Sequence, residues 1–369
     1  MLSGSSLGIP QSHATVSVKL FDAVPPGKHH TFTASTTELF APVLPGHEHL
    51  ASPIFFFLVE HTSTKKRVMF DLGPRKDRER VAPDALELTL KTYPAQEKDA
   101  VEFLEEIGVA ADSIDAIIWS HGHIDHTGDP SRFPSSTSLV VSEDLLLATY
   151  EENSSSTLLP TDIAGRQVVQ IAFEAQIGAF RAHDYFSDGS FYLLDVPGHQ
   201  PGHMCGLARV TPTSFVLMGA DACHHIGILR PTPAIHGNYP PSNDVLQQTS
   251  SSVSPSHFPP SPTKSREADA FDLSSRQEPM LHIIDGIYQA DAALAQESAT
   301  KLTAFDGDPD VFVVLAHDAS LLPLFEGKFP VVLDEWKAKG WKEQTVWAFL
   351  DDKNPAFRFK STQPNITSS

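Results

Sequence analysis

The chain has 369 residues, 41% of them apolar and 20% charged, the balance of an ordinary globular protein whose length alone does not choose between one domain and two. Its 27 Lys and Arg against 46 Asp and Glu leave a formal net charge of -19, which argues against a nucleic-acid partner, since affinity for phosphate backbones comes from cations. No apolar run reaches the length of a membrane span and no basic, apolar leader is visible. The two cysteines are too few for a disulfide framework, so a cytoplasmic setting without a membrane partner is expected.

Residues 1–14 show no periodicity and are expected to form a flexible N-terminus ahead of a single domain over 15–360. "TVSVKLFDAV" (15–24) alternates apolar and polar residues like a half-buried strand. "PIFFFLVEH" and "RVMFDLG" flank the polar "TSTKK", which predicts a hairpin whose turn carries the one dense basic run, Lys65 to Arg67. "EKDAVEFLEEIGV" (97–109) places Val101, Phe103, Leu104 and Ile107 at helical spacing, with Gly108 at its end. The apolar "DAIIWS" (115–120) reads as a buried strand, and further strands are expected at "SLVVSE", "SFYLLDVPG", "CGLARVTPTSFVLMGAD" and "DVFVVLAHD". From Tyr239 to Lys264 about half the positions are Ser or Pro, so residues 238–280 are expected to be a disordered insertion in a surface loop. The tail, 361–369, is expected to be flexible.

Directly after "DAIIWS" comes "HGHIDHTGD", with His121, His123, Asp125 and His126 inside six positions. Imidazoles and a carboxylate so closely spaced suit a transition-metal site. "LLDVPGHQPGH" then supplies His199, "SFVLMGADACHH" ends an apolar strand at Asp221, and "VFVVLAHD" ends another at His317. A carboxylate at the end of a buried strand calls for a cation. A single histidine is more often a core or surface residue than a ligand; four segments with the same strand-end placement are much harder to explain that way.

The order HxHxDH at 121–126, PGHxPGH at 198–203, Asp221 and His317, with "FDLG" at 70–73, resembles the metallo-β-lactamase superfamily over roughly residues 50 to 320. The resemblance implies an α/β fold, a four-layer αβ/βα sandwich, with two metal ions in the groove between the sheets. His121, His123 and His199 would hold one zinc, Asp125, His126 and His317 the other, and Asp221 would bridge them. Imidazole and carboxylate ligands also suit iron or manganese, but the diiron relatives have Glu where this chain has His123, so two Zn(2+) per chain is the expectation. His203 matches a position that is not normally a ligand in relatives.

Such a centre implies hydrolysis, with Asp125 as a ligand that also exchanges protons during catalysis. The acidic composition disfavours the RNA-processing branch, and the absence of an export signal disfavours the secreted β-lactamases. Small-molecule hydrolases acting on lactones, cyclic amides or acyl thioesters are left. In quorum-quenching lactonases a Tyr three residues after the bridging Asp contacts the substrate carbonyl; here that position is His224, a second candidate catalytic residue. The whole pattern is most similar to a filamentous-fungal group that includes γ-lactamases, implying a lactamase or lactonase used in xenobiotic detoxification or secondary metabolism. A thioesterase, a redox protein or a non-catalytic member of the same fold are the alternatives. Asp71 is expected to orient a ligand histidine, Asp184 and Tyr185 are candidates for the groove wall, and Cys223 reads as a small buried residue. Substrate identity and oligomeric state are not fixed by these patterns.

Overall fold

The computed structural model describes residues 7–258, 270–354 and 357–360. Thirteen strands build two sheets. In chain order they are β1 (Val16–Asp22), β2 (Phe55–His61), β3 (Arg67–Phe70), β4 (Ala116–Ile118), β5 (Ser138–Ser142), β6 (Val168–Ile171), β7 (Ala175–Ile177), β8 (Phe180–Asp184), β9 (Phe191–Asp195), β10 (Met204–Thr211), β11 (Ser214–Ala220), β12 (Val311–Leu315) and β13 (Val331–Val332). The first sheet runs β13-β1-β2-β3-β4-β5-β6, the second β7-β8-β9-β10-β11-β12. The expected hairpin is β2 and β3, antiparallel with Phe57 opposite Phe70. β4 and β5 add in parallel, and β12 joins β11 in parallel.

The alternation in "PIFFFLVEH" explains the layering. Phe55, Phe57 and Val59 point into the core between the sheets, while Phe56 and Leu58 point to the opposite face. There they meet the helix Ala100–Glu106 through Val101, Leu104 and Phe103. Phe21 stacks on Phe56 with centroids 5.0 Å apart, and Phe103 meets both rings edge-on. A sheet buried on both faces needs apolar residues in continuous runs, which is why β2 carries three consecutive phenylalanines. On the far side, the helix Ala292–Gly307 buries Ala295, Ala299, Leu302 and Phe305. Helix, sheet, sheet and helix make the four-layer αβ/βα sandwich.

Two stretches differ from expectation. Residues 7–14 are not loose: Leu7 is buried, its carbonyl accepts from Gly178 N–H at 2.7 Å, and Pro10 O accepts from Arg209 Nη2 at 2.6 Å. Much of 238–280 is also structured. A helix spans Asn243–Ser252, started by Ser242, whose hydroxyl accepts from Val245 N–H. Its poor apolar pattern is offset by the residues just after it: Val253 and Phe258 are buried, and Phe258 packs edge-on against Phe359 at 5.2 Å. Phe271, Leu273 and Met280 are buried as well. The few apolar residues in a Ser/Pro-rich stretch found a groove prepared by the C-terminal residues. Residues 1–6 of the expected flexible N-terminus, the remaining part of the expected insertion, 259–269, and the tail, 361–369, lie outside the described residues.

Candidate dinuclear metal centre

β4 ends at Ile118, and the chain then turns through Trp119 and Ser120 into the short helix Ile124–Thr127. Trp119 Nε1–H donates to Thr127 O at 3.1 Å, closing this loop on itself. Gly128 completes it with φ +52; a Cβ there would lie 2.4 Å from Leu72 Cβ, so the approach to the "FDLG" segment requires glycine. His199 is set by a similar device. Gly198 has φ +125, and a Cβ would fall 2.1 Å from Ala295 N, where the loop lies against the first turn of the Ala292–Gly307 helix. Gly198 O and His199 O accept from Asp291 and Ala290 N–H, both at 2.9 Å.

Seven predicted ligands converge in two groups. His121 Nε2, His123 Nδ1 and His199 Nε2 stand 2.9 to 3.2 Å from one another. Nitrogens of a tetrahedral zinc site, at 2.0–2.1 Å from the ion, are separated by about 3.3 Å. Asp125, His126, Asp221 and His317 form the second group, with all ligand atoms within 4.8 Å in each. Asp221 faces both: Oδ1 lies 3.2 Å from His126 Nε2 and from His317 Nε2, while Oδ2 lies 3.5 Å from His199 Nε2 and 3.8 Å from His121 Nε2. His126 Nε2 and Asp221 Oδ1 are buried without a hydrogen-bond partner. Buried polar atoms that face one another without a hydrogen bond and converge on one point are what a cation would satisfy, so the residues fit a two-metal group.

The other ring nitrogens are held in place. His126 Nδ1–H donates to Asp71 Oδ2 at 2.8 Å, and Ser120 N–H and Oγ–H occupy the same carboxylate at 2.7 Å each. His121 Nδ1 meets Ser120 Oγ at 2.9 Å, His199 Nδ1 meets Gln289 Oε1 at 3.3 Å, and His317 Nδ1–H donates to Pro53 O at 2.9 Å. Such partners fix the tautomer and the direction of the ligating lone pair. Backbone strain lies in the same places: Asp71 has φ +59 and Ala220, just before Asp221, has φ +43. His203 has a different task. Its Nδ1–H donates to Val196 O and its Nε2 accepts from Asp221 N–H, so it braces the backbone of Asp221.

Charge divides the two groups. Burial and the neighbouring imidazoles push His121 and His199 well down, and burial takes His123 down to about 4. In the second group burial works the same way but is overcome. Asp221 and Asp125 raise His317 to about 10 and carry His126 well up. Burial opposes ionisation of Asp125 too, yet His126 and His317 hold it at about 2. In the metal-free protein the charged His317 contributes stability that is complete below its usual 6.5 and is lost as pH rises through about 10. Metal must displace those protons. Titrating metal into stripped protein at neutral pH is therefore expected to release protons from the second group and almost none from the first. Calorimetry in buffers of different ionisation enthalpy measures this, and equal release at both steps would contradict the assignment.

His224 lies at the site, its Nε2 3.1 Å from Asp221 Oδ2 and its ring stacked on His317 at 5.6 Å. Asp184 and Tyr185 do not line the groove. Asp184 accepts from Gly189 N–H in the turn after β8, and Tyr185 packs on Phe186 and Phe191. Cys223 is buried, and burial pushes its thiol well up, which fits a small buried residue. Several wall residues carry no sequence signal. A cavity of about 220 Å³ above Asp125, Asp221 and His317 is walled by Phe32, Leu39, Tyr93, Thr157, Ile287 and Tyr288. Tyr93 is half-buried in the wall, with its hydroxyl in hydrogen-bond reach of Asp125; desolvation and that carboxylate push its hydroxyl well up. Among the described residues no helix is long and apolar enough to cross a membrane.

The model of the metallo-beta-lactamase superfamily matches residues 51–212. A metallo-hydrolase, mfmC, of Annulohypoxylon moriforme is 36% identical over 98% of this chain and 93% of its own length. Gamma-lactamase FDB1 of Fusarium pseudograminearum is 34% identical over 94% of this chain and 84% of its own. The chain spans only 39% of a cytochrome P450 monooxygenase, mpaDE, of Penicillium roqueforti, to which it is 38% identical over 95% of its own length. The solved structure of an N-acyl homoserine lactone hydrolase, with N-hexanoyl-L-homoserine at its catalytic metal centre, shares the fold. It is 16% identical with a TM-score of 0.51, covering 86% of this chain and 99% of that one.

Proposed function

The chain belongs to the metallo-beta-lactamase superfamily, and on that footing we propose that it is a dinuclear-zinc hydrolase opening the cyclic amide or ester of a small molecule. The observation that carries this reading is Asp221, one carboxylate shared between two convergent ligand groups. Two zinc ions held there would supply a water acidic enough to ionise near neutral pH and a Lewis acid for a carbonyl oxygen.

The protein's own groups do the rest. Asp125 lines the cavity as a carboxylate and is the nearest proton acceptor and later donor. Tyr93, half-buried in the wall and with its hydroxyl pushed well up, donates a hydrogen bond towards Asp125. His224, on the cavity side of Asp221, is placed to donate to a substrate oxygen, in the position where lactonases have Tyr. Leu88 and Ile287 stand 40% and 69% exposed at the cavity, an apolar approach that suits a largely uncharged substrate. The volume admits a small ring system and supports a small-molecule partner over a macromolecular one. A γ-lactamase among the relatives supports the cyclic amide, and detoxification or secondary metabolism is the proposed setting, in the cytoplasm.

The test is elemental analysis of protein purified without chelator, followed by a panel of lactones, cyclic amides and acyl thioesters. Two zinc ions per chain and turnover of a cyclic amide or ester are expected. Only trace metal would sink the dinuclear reading, and turnover confined to thioesters would replace the substrate class.

A further inference from the structure

Asp22 ends β1 and is 5% exposed, and it belongs to neither ligand group. Its Oδ2 is 2.6 Å from Nε2 of His29, itself 6% exposed. Its Oδ1 accepts from Val24 N–H at 2.9 Å and from Ile54 N–H at 3.2 Å. The second bond is the informative one. Ile54 N–H and Pro53 C=O belong to the same peptide unit, and Pro53 O is the acceptor for His317 Nδ1–H at 2.9 Å. A planar, rigid peptide therefore joins a buried carboxylate on one edge to a ligand imidazole on the other. The carboxylate polarises the amide, and a polarised amide is a stronger acceptor at its oxygen.

A second connection leaves from His29. The turn His29–Thr31 closes with Phe32 N–H donating to His29 O at 3.3 Å. The Phe32 ring lies on the His317 ring, with centroids 5.2 Å apart and planes 19° from parallel. One face and one nitrogen of His317 are thus both set from the Asp22–His29 pair. Phe55 N–H, next along the chain, donates to Ala316 O at 2.9 Å and docks the start of β2 against the residue before the ligand.

We propose that Asp22 and His29 are positioning residues for the second metal: through the Pro53–Ile54 peptide and the Phe32 ring they fix where His317 Nε2 points. This rests on the dinuclear reading above. Chains of partners behind a ligand histidine change metal affinity by about 10–100-fold. Asp22 acts one peptide further out, so the low end of that range is expected.

The experiment is chelator competition for each of the two zinc ions in wild-type protein and in Asp22→Asn, Asp22→Ala and His29→Gln, with Tm of the metal-free forms alongside. Asp22→Asn keeps an acceptor for Ile54 N–H but loses the charge. It is expected to weaken the second ion about tenfold and the first less than twofold, with Asp22→Ala weaker still. His29→Gln, which can still donate to Asp22, is expected to retain most of the wild-type affinity. Should Asp22→Asn fail to fold, His29→Ala carries the same test, with a selective loss of threefold or more expected at the second ion. If both ions weaken together, or neither changes while wild type holds two, the positioning role is overturned and the dinuclear reading stands. If wild type holds a single ion, both fall.

Discussion

Asp125→Asn is expected to lower kcat by about 10²–10⁴-fold, the usual worth of general acid–base catalysis, while KM changes little. The carboxylate lies 3.4 Å from His317 Nε2 and 3.6 Å from His126 Nε2 and also faces the cavity, so it serves both the second ligand group and the substrate. Asparagine keeps an oxygen for the ligand role but cannot take up a proton. Interactions realised mainly in the transition state show in kcat when removed. His224→Ala is the comparison: an orienting hydrogen bond predicts a smaller loss that varies with substrate. Steady-state kinetics on a cyclic ester or amide, with metal measured on each variant, decides the matter. Near-full kcat in Asp125→Asn with metal bound would remove Asp125 from proton transfer.

Asp221→Ala is expected to reduce bound metal from two ions to at most one and to destabilise the metal-free protein. His126 and His317 are held charged largely by this carboxylate, against burial. Breaking a buried ion pair costs about 3–5 kcal/mol, less whatever the imidazoles recover by shedding protons. That recovery gives the effect a pH signature: the loss is greatest below about 6.5 and shrinks as pH rises towards 10. Denaturant unfolding of stripped protein at several pH values measures it. A variant that keeps two tightly held ions would show that Asp221 is no bridge.

The residues that converge in the two groups were legible because each breaks an apolar strand where it ends: Asp221 after "SFVLMGA", His317 after "VFVVLA", His121 after "AIIWS". A polar residue in such a place has a short list of explanations. The groups around the site were not legible, for two physical reasons. Tyr93, Thr157 and Ile287 come from connecting segments, where no period marks which face is inward. Asp22 looks like any residue closing a strand, because its importance lies in one peptide 32 positions along the chain. The helix at Asn243–Ser252 carries only two apolar residues, Val245 and Leu246, which pack partly buried on the core, so its letters show no periodic stripe.

Neither ligand group is complete within one stretch of chain. His121 and His123 wait for His199 from the end of β9, and Asp125 and His126 wait for Asp221 and His317 from β11 and β12, across the gap between the two sheets. A site split in this way would grip an ion tightly only once the sheets have docked, late in folding. Contacts that form that late leave the folding rate almost untouched and slow the reverse step. Two ions held there would therefore act as a time lock, setting how long the native sandwich stays closed once it has closed.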